Sequence, residues 1–392
     1  MSPNVVLASS VRTPIGRFGG GLRSVSAVDL GIAAVKGSLL RAGVAPDAVD
    51  QTILGHARQA GCGPNSARQV SVRAGIPVEK PAFGINQACL SGMQAILAAA
   101  RAIRLGEAEV VLAGGMESMS RVPFAIDARW GTRMGNIEAV DLMSRDGFLD
   151  PLSGKIMGET AETLATQYGI TREEQDAYAA ATQNRCEAAR QAGRLQDEIT
   201  PVEVRSGAAT TTIDRDEHPR DGVTAEALAA LAPVFAKGGS VTAGNSSGIT
   251  DGAAAMLVMS EDAARRLKVQ PLARIVGWRV DGVAPEVMGI GPVPAVRNLL
   301  SATGISLDAI DLVELNEAFA AQVLAVDREL RLDPQRVNVN GGAIALGHPI
   351  GCSGARIVVT LLHELVRRKA RYGLATLCVS GGMGGALLVE RA

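Results

Sequence analysis

The sequence predicts an α/β fold built twice from one plan. Short apolar runs alternate with amphipathic helical stripes, the grammar of strands covered by helices. One signature also recurs. Ser-Gly, a helix, a strand and Gly-Gly-Met run from Ser91 to Met116 and again from Ser353 to Met383, so an internal duplication is the economical explanation. Between the halves the texture turns charged and loop-like, which marks an insertion rather than a third copy.

In chain order, Val5 to Ala8 reads as a strand. Asp29 to Arg41 reads as a helix with Ala33, Leu39 and Leu40 inward. Met93, Ile96, Leu97, Ala100 and Ile103 form a helical stripe ending near Gly106. Glu109 to Ala113 is then a buried strand stopping at Gly114-Gly115-Met116. Thr171 to Gly193 is a polar helix whose Thr171 and Glu174 make a capping box. In the last third, Arg274 to Gly277 resembles the opening strand. Ile310 to Leu315 is a strand with Asn316 and Glu317 at its end. Ile357, Val358, Leu361, Leu362, Leu365 and Val366 line a helix that starts near Ser353. Arg367, Arg368, Lys369 and Arg371 suit the negative end of its dipole. A final strand stops at Gly381. The expected division is 1–118 with 251–270, an inserted 119–250, and 271–392.

Composition narrows the function classes. The 392 residues suit about two to three domains. Hydrophobic content of 47% is ample for buried cores, and the scarcity of aromatics leaves the packing to aliphatic side chains and alanine. A net charge of -1 gives no reason to expect nucleic acid or an anionic membrane as partner. No apolar run reaches the roughly 18 residues of a membrane span. The start of the chain lacks a basic n-region, and the end is no recognisable address. Five cysteines, an odd number, with no signal segment suggest reduced thiols in a cytosol. No pair has C-x-x-C spacing and only four histidines exist, so no metal site is expected.

The chemistry concentrates in three glycine-rich segments. Asn86-Gln-Ala-Cys-Leu-Ser-Gly92 puts Cys89 at the opening of a helix, where the dipole favours thiolate. Gly347-His-Pro-Ile-Gly-Cys-Ser-Gly-Ala-Arg356 puts His348 in a loop feeding a helix. Cys378 ends a strand before consecutive glycines. Singly, each has an inert alternative: a buried turn cysteine, a loop histidine, a small core residue. Together they are a nucleophile, a base and a proton carrier, and matched sites in a duplicated sheet would converge at one crevice. Asn316 ends another strand and could hold a water against an oxyanion. Gly244-Asn-Ser-Ser-Gly248 fits the G-x-S-x-G elbow of serine hydrolases, but a strand rather than a helix follows it. His56, His218 and His363, with Cys62 and Cys186, read as structural or incidental.

These segments, with Val11-Arg-Thr-Pro-Ile-Gly16, Ala113-Gly-Gly-Met-Glu-Ser-Met119, Met157-Gly-Glu-Thr-Ala-Glu162, Thr242-Ala-Gly-Asn-Ser-Ser-Gly248, Asn316-Glu-Ala-Phe319 and Asn338-Val-Asn-Gly-Gly-Ala-Ile-Ala345, resemble the thiolases end to end, in their acetyl-CoA acetyltransferase branch. The resemblance implies a duplicated five-layer α-β-α-β-α fold with a loop domain inserted in the first half, and a tetramer built from tight dimers. It implies that Cys89 is acylated, that His348 activates it and that Cys378 moves the α-proton of a second acetyl-CoA. His348 with a water on Asn316 would form one oxyanion hole, and backbone N–H groups of Cys89 and Ser380 the other. Coenzyme A is then substrate and product, with no cofactor or metal. Arg220 would lie by the nucleotide, Ala243 and Ser247 along the pantetheine, and Phe235, Met157, Met288, Ala318 and Phe319 along the tunnel.

Four residues depart from the family pattern: Leu90, Ser380, Ile156 and Phe148. They are expected to line or approach the acyl pocket. They leave open a broader 3-ketoacyl-CoA thiolase as the alternative activity. A ketoacyl-ACP synthase would need a second catalytic histidine where Asn316 or Cys378 stands. A catalytically dead acyl-CoA-binding relative would lack a catalytic residue, whereas all four are present.

Overall fold

The computed structural model describes residues 3–207 and 209–392. Strands β1 (Val5–Arg12), β2 (Gln51–Gly55), β3 (Ala82–Ile85), β4 (Val110–Ser118) and β5 (Thr250–Ser260) belong to the first half. Strands β6 (Ala273–Gly282), β7 (Leu312–Leu315), β8 (Tyr372–Val379) and β9 (Met383–Arg391) belong to the second. All nine join one ten-stranded sheet in the order β7-β8-β9-β6-β1-β5-β4-β2-β3, with Gly16–Arg17 added on β5. The halves touch edge to edge through only Val6 opposite Arg274 and Leu7 opposite Ala273.

The duplication is visible in the strand order. Read outward from the junction, each half runs first strand, last strand, penultimate strand, second strand. The first two of those pairings are antiparallel and the third is parallel in both halves. Only the first half has the parallel edge strand β3; in the second half an isolated parallel bridge from Val313 to Val337 occupies that place.

Five layers follow from which faces are apolar. Helices α1 (Ala27–Ala42) and α2 (Ser66–Arg73) cover the outside of the first half. Helices α6 (Pro292–Thr303) and α7 (Ala320–Leu330) cover the outside of the second. Between the half-sheets lie α3 (Ser91–Arg104) and α8 (Ile350–Arg368). Strands covered on both faces must be apolar on both, so β5 reads as a continuous apolar run. Its Ala254, Met256 and Val258 meet the central helices, and its Ala255, Leu257 and Met259 meet the outer ones. The period of two thus sorts one run of sequence into two cores.

The insertion adds α4 (Met157–Tyr168), α5 (Arg172–Gln191) and two small hairpins. Helix α5 begins at the expected capping box: Thr171 Oγ1 accepts from Glu174 N–H, and Glu174 accepts from Thr171 N–H. Both insertion helices pack on α7, so the insertion bridges to the opposite half. The buried guanidinium of Arg12 ties β1 to it through Glu198 and Asp216.

Three sequence expectations need correction. Leu40 is 85% exposed; the inward stripe of α1 runs through Leu30, Ala34, Val35 and Leu39, as a period of 3.6 residues requires. Helix α8 starts at Ile350, because Pro349 supplies the preset φ of a helix entry and shifts the start three residues upstream. Strand β4 does not stop at its glycines but continues to Ser118, paired throughout with β5. Here the glycines admit close neighbours: a Cβ on Gly114 would lie 2.0 Å from the carbonyl oxygen of Ala254, and one on Gly115 would lie 2.1 Å from that of Gly351.

Gly115→Ala is therefore expected to cost at least about 3 kcal/mol, because backbone blocks the new methyl and cannot rotate away. Gly84→Ala, whose Cβ would meet nothing nearer than 3.7 Å, serves as control and should cost under about 1 kcal/mol. Chemical denaturation of both variants checks this; equal midpoints would contradict it.

Candidate active site

Cys89 sits in a tight turn between β3 and α3. Ala88 adopts φ +45°, a left-handed conformation that strains any residue with a Cβ. Local hydrogen bonds hold the turn against that strain. Asn86 accepts from Ala88 N–H and donates to Ala57 O, while Ser91 Oγ accepts from Gln87 N–H and donates to Ala88 O. The backbone N–H groups of Cys89 itself and of Ser380 lie near the Cys89 sulfur and favour its thiolate.

His348 arrives from the other half, just before α8, with its N–H bonded to Gly248 O. Its Nε2 lies 3.3 Å from Cys89 Sγ. Its Nδ1 meets Ser353 Oγ, whose own hydrogen is directed at Pro349 O. Ser353 must then accept from Nδ1–H, which leaves Nε2 free to receive the Cys89 proton. Sequence reasoning missed Ser353. The signal available was its spacing of five residues from His348, one helical turn into α8.

Burial sets the charge states. The His348 ring is pushed down to about 3, first by loss of solvent and then by Arg356 and Arg58. The Cys89 thiol is pushed up by burial, which outweighs Arg58 and the two N–H groups. The expected lowering by the helix dipole is outweighed: Cys89 precedes α3, and burial moves its thiol in the opposite direction. Cys378, at the end of β8, is raised by burial and by its proximity to Cys89.

One cavity of about 510 Å³ joins these groups, with Cys89, His348, Cys378 and Ser380 on its wall. Met157, Phe235 and Met288 line it together with Ala318 and Phe319, and so do Ala243, Ser247 and Arg220. Phe235 and Phe319 meet edge to face, their ring centres 6.0 Å apart. Asn316 is the exception among the expected site residues. It is fully buried beside β8, does not line the cavity, and its carboxamide makes no hydrogen bond to any described residue. Of the four departures, Phe148, Ile156 and Ser380 line the cavity. Leu90 does not; its side chain packs against Gly385 in the central core, so the expectation that it approaches the pocket is wrong.

Two further titratable residues line this cavity. His218, read as structural, lines it while bonding Ala345 O through Nδ1. Arg58 lines it as well; nothing in the spacing of either residue signalled this. Ser246, inside the G-x-S-x-G segment, bonds Thr242 O and sits in irregular chain before β5, so no nucleophile elbow forms. Among the described residues no cluster of three or more His, Cys, Asp or Glu could hold a metal ion. Among these residues no helix is long and apolar enough to cross a membrane.

A neutral Cys89–His348 pair predicts how alkylation depends on pH. Only thiolate reacts, and below a raised pKa its fraction grows about tenfold per pH unit. Inactivation by iodoacetamide should therefore accelerate steadily from pH 6 to 8. A rate flat across that window would mean a preformed thiolate–imidazolium pair.

Comparison with known proteins matches this architecture. Residues 5–262 fit the family described as thiolase, N-terminal domain, and residues 269–391 fit thiolase, C-terminal domain. The chain is 51% identical over 390 residues to an acetyl-CoA acetyltransferase of Rhizobium meliloti, covering 100% of this chain and 99% of that protein. It is 52% identical to one of Pseudomonas aeruginosa, with 99% of both covered. Among solved structures, the acetyl-CoA acetyltransferase of Bacillus anthracis superposes with a TM-score of 0.98 at 48% identity, covering 100% of this chain and 99% of that one. Human mitochondrial 3-ketoacyl-CoA thiolase in complex with CoA superposes at 0.96 and 46% identity, covering 100% and 98%. On both family matches and on full-length identity, the chain belongs to the thiolase family.

Proposed function

We propose that the protein is an acetyl-CoA C-acetyltransferase, which joins two acetyl-CoA into acetoacetyl-CoA and CoA and runs the reverse cleavage. The observation that carries this reading is the 3.3 Å contact of Cys89 Sγ with His348 Nε2 in the cavity that Cys378 also lines. Relatives about half identical over their whole length bear the same name.

In the first half-reaction His348 Nε2 takes the thiol proton as Cys89 attacks the acetyl thioester. The oxyanion forms where the N–H groups of Cys89 and Ser380 converge, fixed donors that need no reorganisation. Cys378 gives its proton to the departing CoA sulfur. Its thiolate, raised in basicity by burial, then takes the α-proton of the second acetyl-CoA. The enolate oxygen rests on protonated His348 and a water held by Asn316. Its carbon attacks the acetyl-cysteine, and Cys89 leaves with the proton of His348. Atoms and protons return to their starting places, and two half-reactions at one sulfur give ping-pong kinetics.

The CoA path runs from Arg220 at the nucleotide, along Ala243 and Ser247, to the apolar tunnel of Met157, Phe235, Met288, Ala318 and Phe319. CoA is a substrate, and the scheme uses no cofactor. Five free thiols suit a cytoplasmic setting, and acetoacetyl-CoA chemistry suits fatty-acid metabolism. Association into a homotetramer is supported by apolar groups on the insertion's exposed hairpin, with Trp130 and Met134 each 92% exposed.

A broader 3-ketoacyl-CoA thiolase is the second reading, favoured by the likeness to the human mitochondrial enzyme. Phe148, bulky and on the cavity wall beside Ile350, argues for short chains. CoA-dependent cleavage of acetoacetyl-CoA beside a medium-chain 3-ketoacyl-CoA decides between them. The acetyltransferase reading expects the shorter substrate to be preferred and Cys89→Ala to lose at least about 10⁴-fold in rate. Preference for the longer substrate moves the protein to the second reading. Equal turnover by variant and wild type would defeat both.

A further inference from the structure

Arg58 is the buried charge that the catalytic scheme leaves unused. It is 8% exposed, and its guanidinium makes no hydrogen bond or ion pair with any described residue. The other deeply buried arginines are paired, Arg12 with Glu198 and Asp216, Arg356 with Glu314. A largely buried cation without a partner is costly to keep. Glu117, which holds the Arg58 backbone N–H, does not pair with the guanidinium. Glu117 already accepts the backbone N–H groups of Ala57, Arg58 and Gly351 and faces His56 Nε2 at 3.4 Å.

The surroundings say what the cation faces. Arg58 lines the cavity that holds Cys89 and His348, and its charge is felt at both. Its guanidinium lies on Gly147, so near that a Cβ there would come 2.4 Å from Nε. The adjoining wall is apolar: Ala57, Met143 and Ile350 pack together with Phe148 and Cys89. A short acyl chain on Cys89 would lie against this wall, and one cation stands at its edge. Arg220 and His218, in contrast, come from the insertion, on the side assigned to CoA.

Building on the acyl-transfer reading above, we propose that Arg58 is a specificity residue that recognises an anionic acyl terminus. The substrate class is a short 3-ketoacyl-CoA ending in a carboxylate. Cleavage by CoA breaks the bond between C2 and C3, releases acetyl-CoA, and leaves the carboxylated acyl group on Cys89 until CoA removes it. The guanidinium offers a carboxylate a two-pronged, charge-assisted partner on the acyl side, while the cavity's other guanidinium, Arg220, stands on the side assigned to CoA.

The test compares 3-oxoadipyl-CoA with its terminal methyl ester, which has nearly the same shape without the charge. The wild type should favour the acid by about tenfold or more in kcat/KM, the range of one charged hydrogen bond. Arg58→Leu should bring the ratio of acid to ester to about one, and Arg58→Lys should keep part of it. A wild-type ratio near one overturns the proposal. So does a fall in Arg58→Leu that is equal for acid and ester, which would make Arg58 structural or a contact of CoA itself. If Arg58→Leu fails to fold, the wild-type ratio and the lysine variant still decide. Wild-type cleavage of acetoacetyl-CoA is read alongside; its absence would count against the acyl-transfer reading rather than against Arg58.

Discussion

Helices α3 and α8 cross so closely that their backbones touch, and the site depends on that crossing. A Cβ on Gly92 would lie 2.7 Å from Ala355 N, and one on Gly354 would lie 2.6 Å from Met93 N. Neither helix could move outward without opening the central core, where both are buried between the half-sheets. Cys89 precedes the first helix and His348 the second. The distance between Cys89 and His348 is therefore set by the packing of the two helices they precede. Glu117 fastens the same junction from below, since its carboxylate binds the start of α8 at Gly351 and the chain after β2 at Ala57 and Arg58.

This placement has an electrostatic consequence. Groups held between two sheets lose their water, so each stays neutral unless a partner compensates. Cys89 and Cys378 are held as thiols and His348 as a free imidazole. Arg58 lies in the same region, and its guanidinium pairs with no carboxylate among the described residues.

Much of this was legible in the sequence because it rests on short-range rules. Period-two apolar runs, the recurring Ser-Gly and Gly-Gly-Met signature, and the Thr171 capping box gave strands, duplication and a helix start. The three segments around Cys89, His348 and Cys378 did meet at one cavity. What the sequence hid was set by long-range packing. Leu90 stands next to the nucleophile yet points into the core against Gly385, because a helix entry turns successive side chains in different directions. His218 and Arg58 reach the cavity from loops far from the catalytic segments. The direction in which the thiol is pushed also depends on burial, which a helix-dipole argument does not contain.

The central claim is that Cys89 alone carries the acyl group, activated by a histidine from the other half. Mass spectrometry of the protein after brief exposure to acetyl-CoA tests it directly. One acetyl group per chain is expected, on the peptide containing Cys89, removed by added CoA and lost in His348→Asn. An acetyl group on Cys378 instead, or labelling that survives the loss of His348 undiminished, would contradict it.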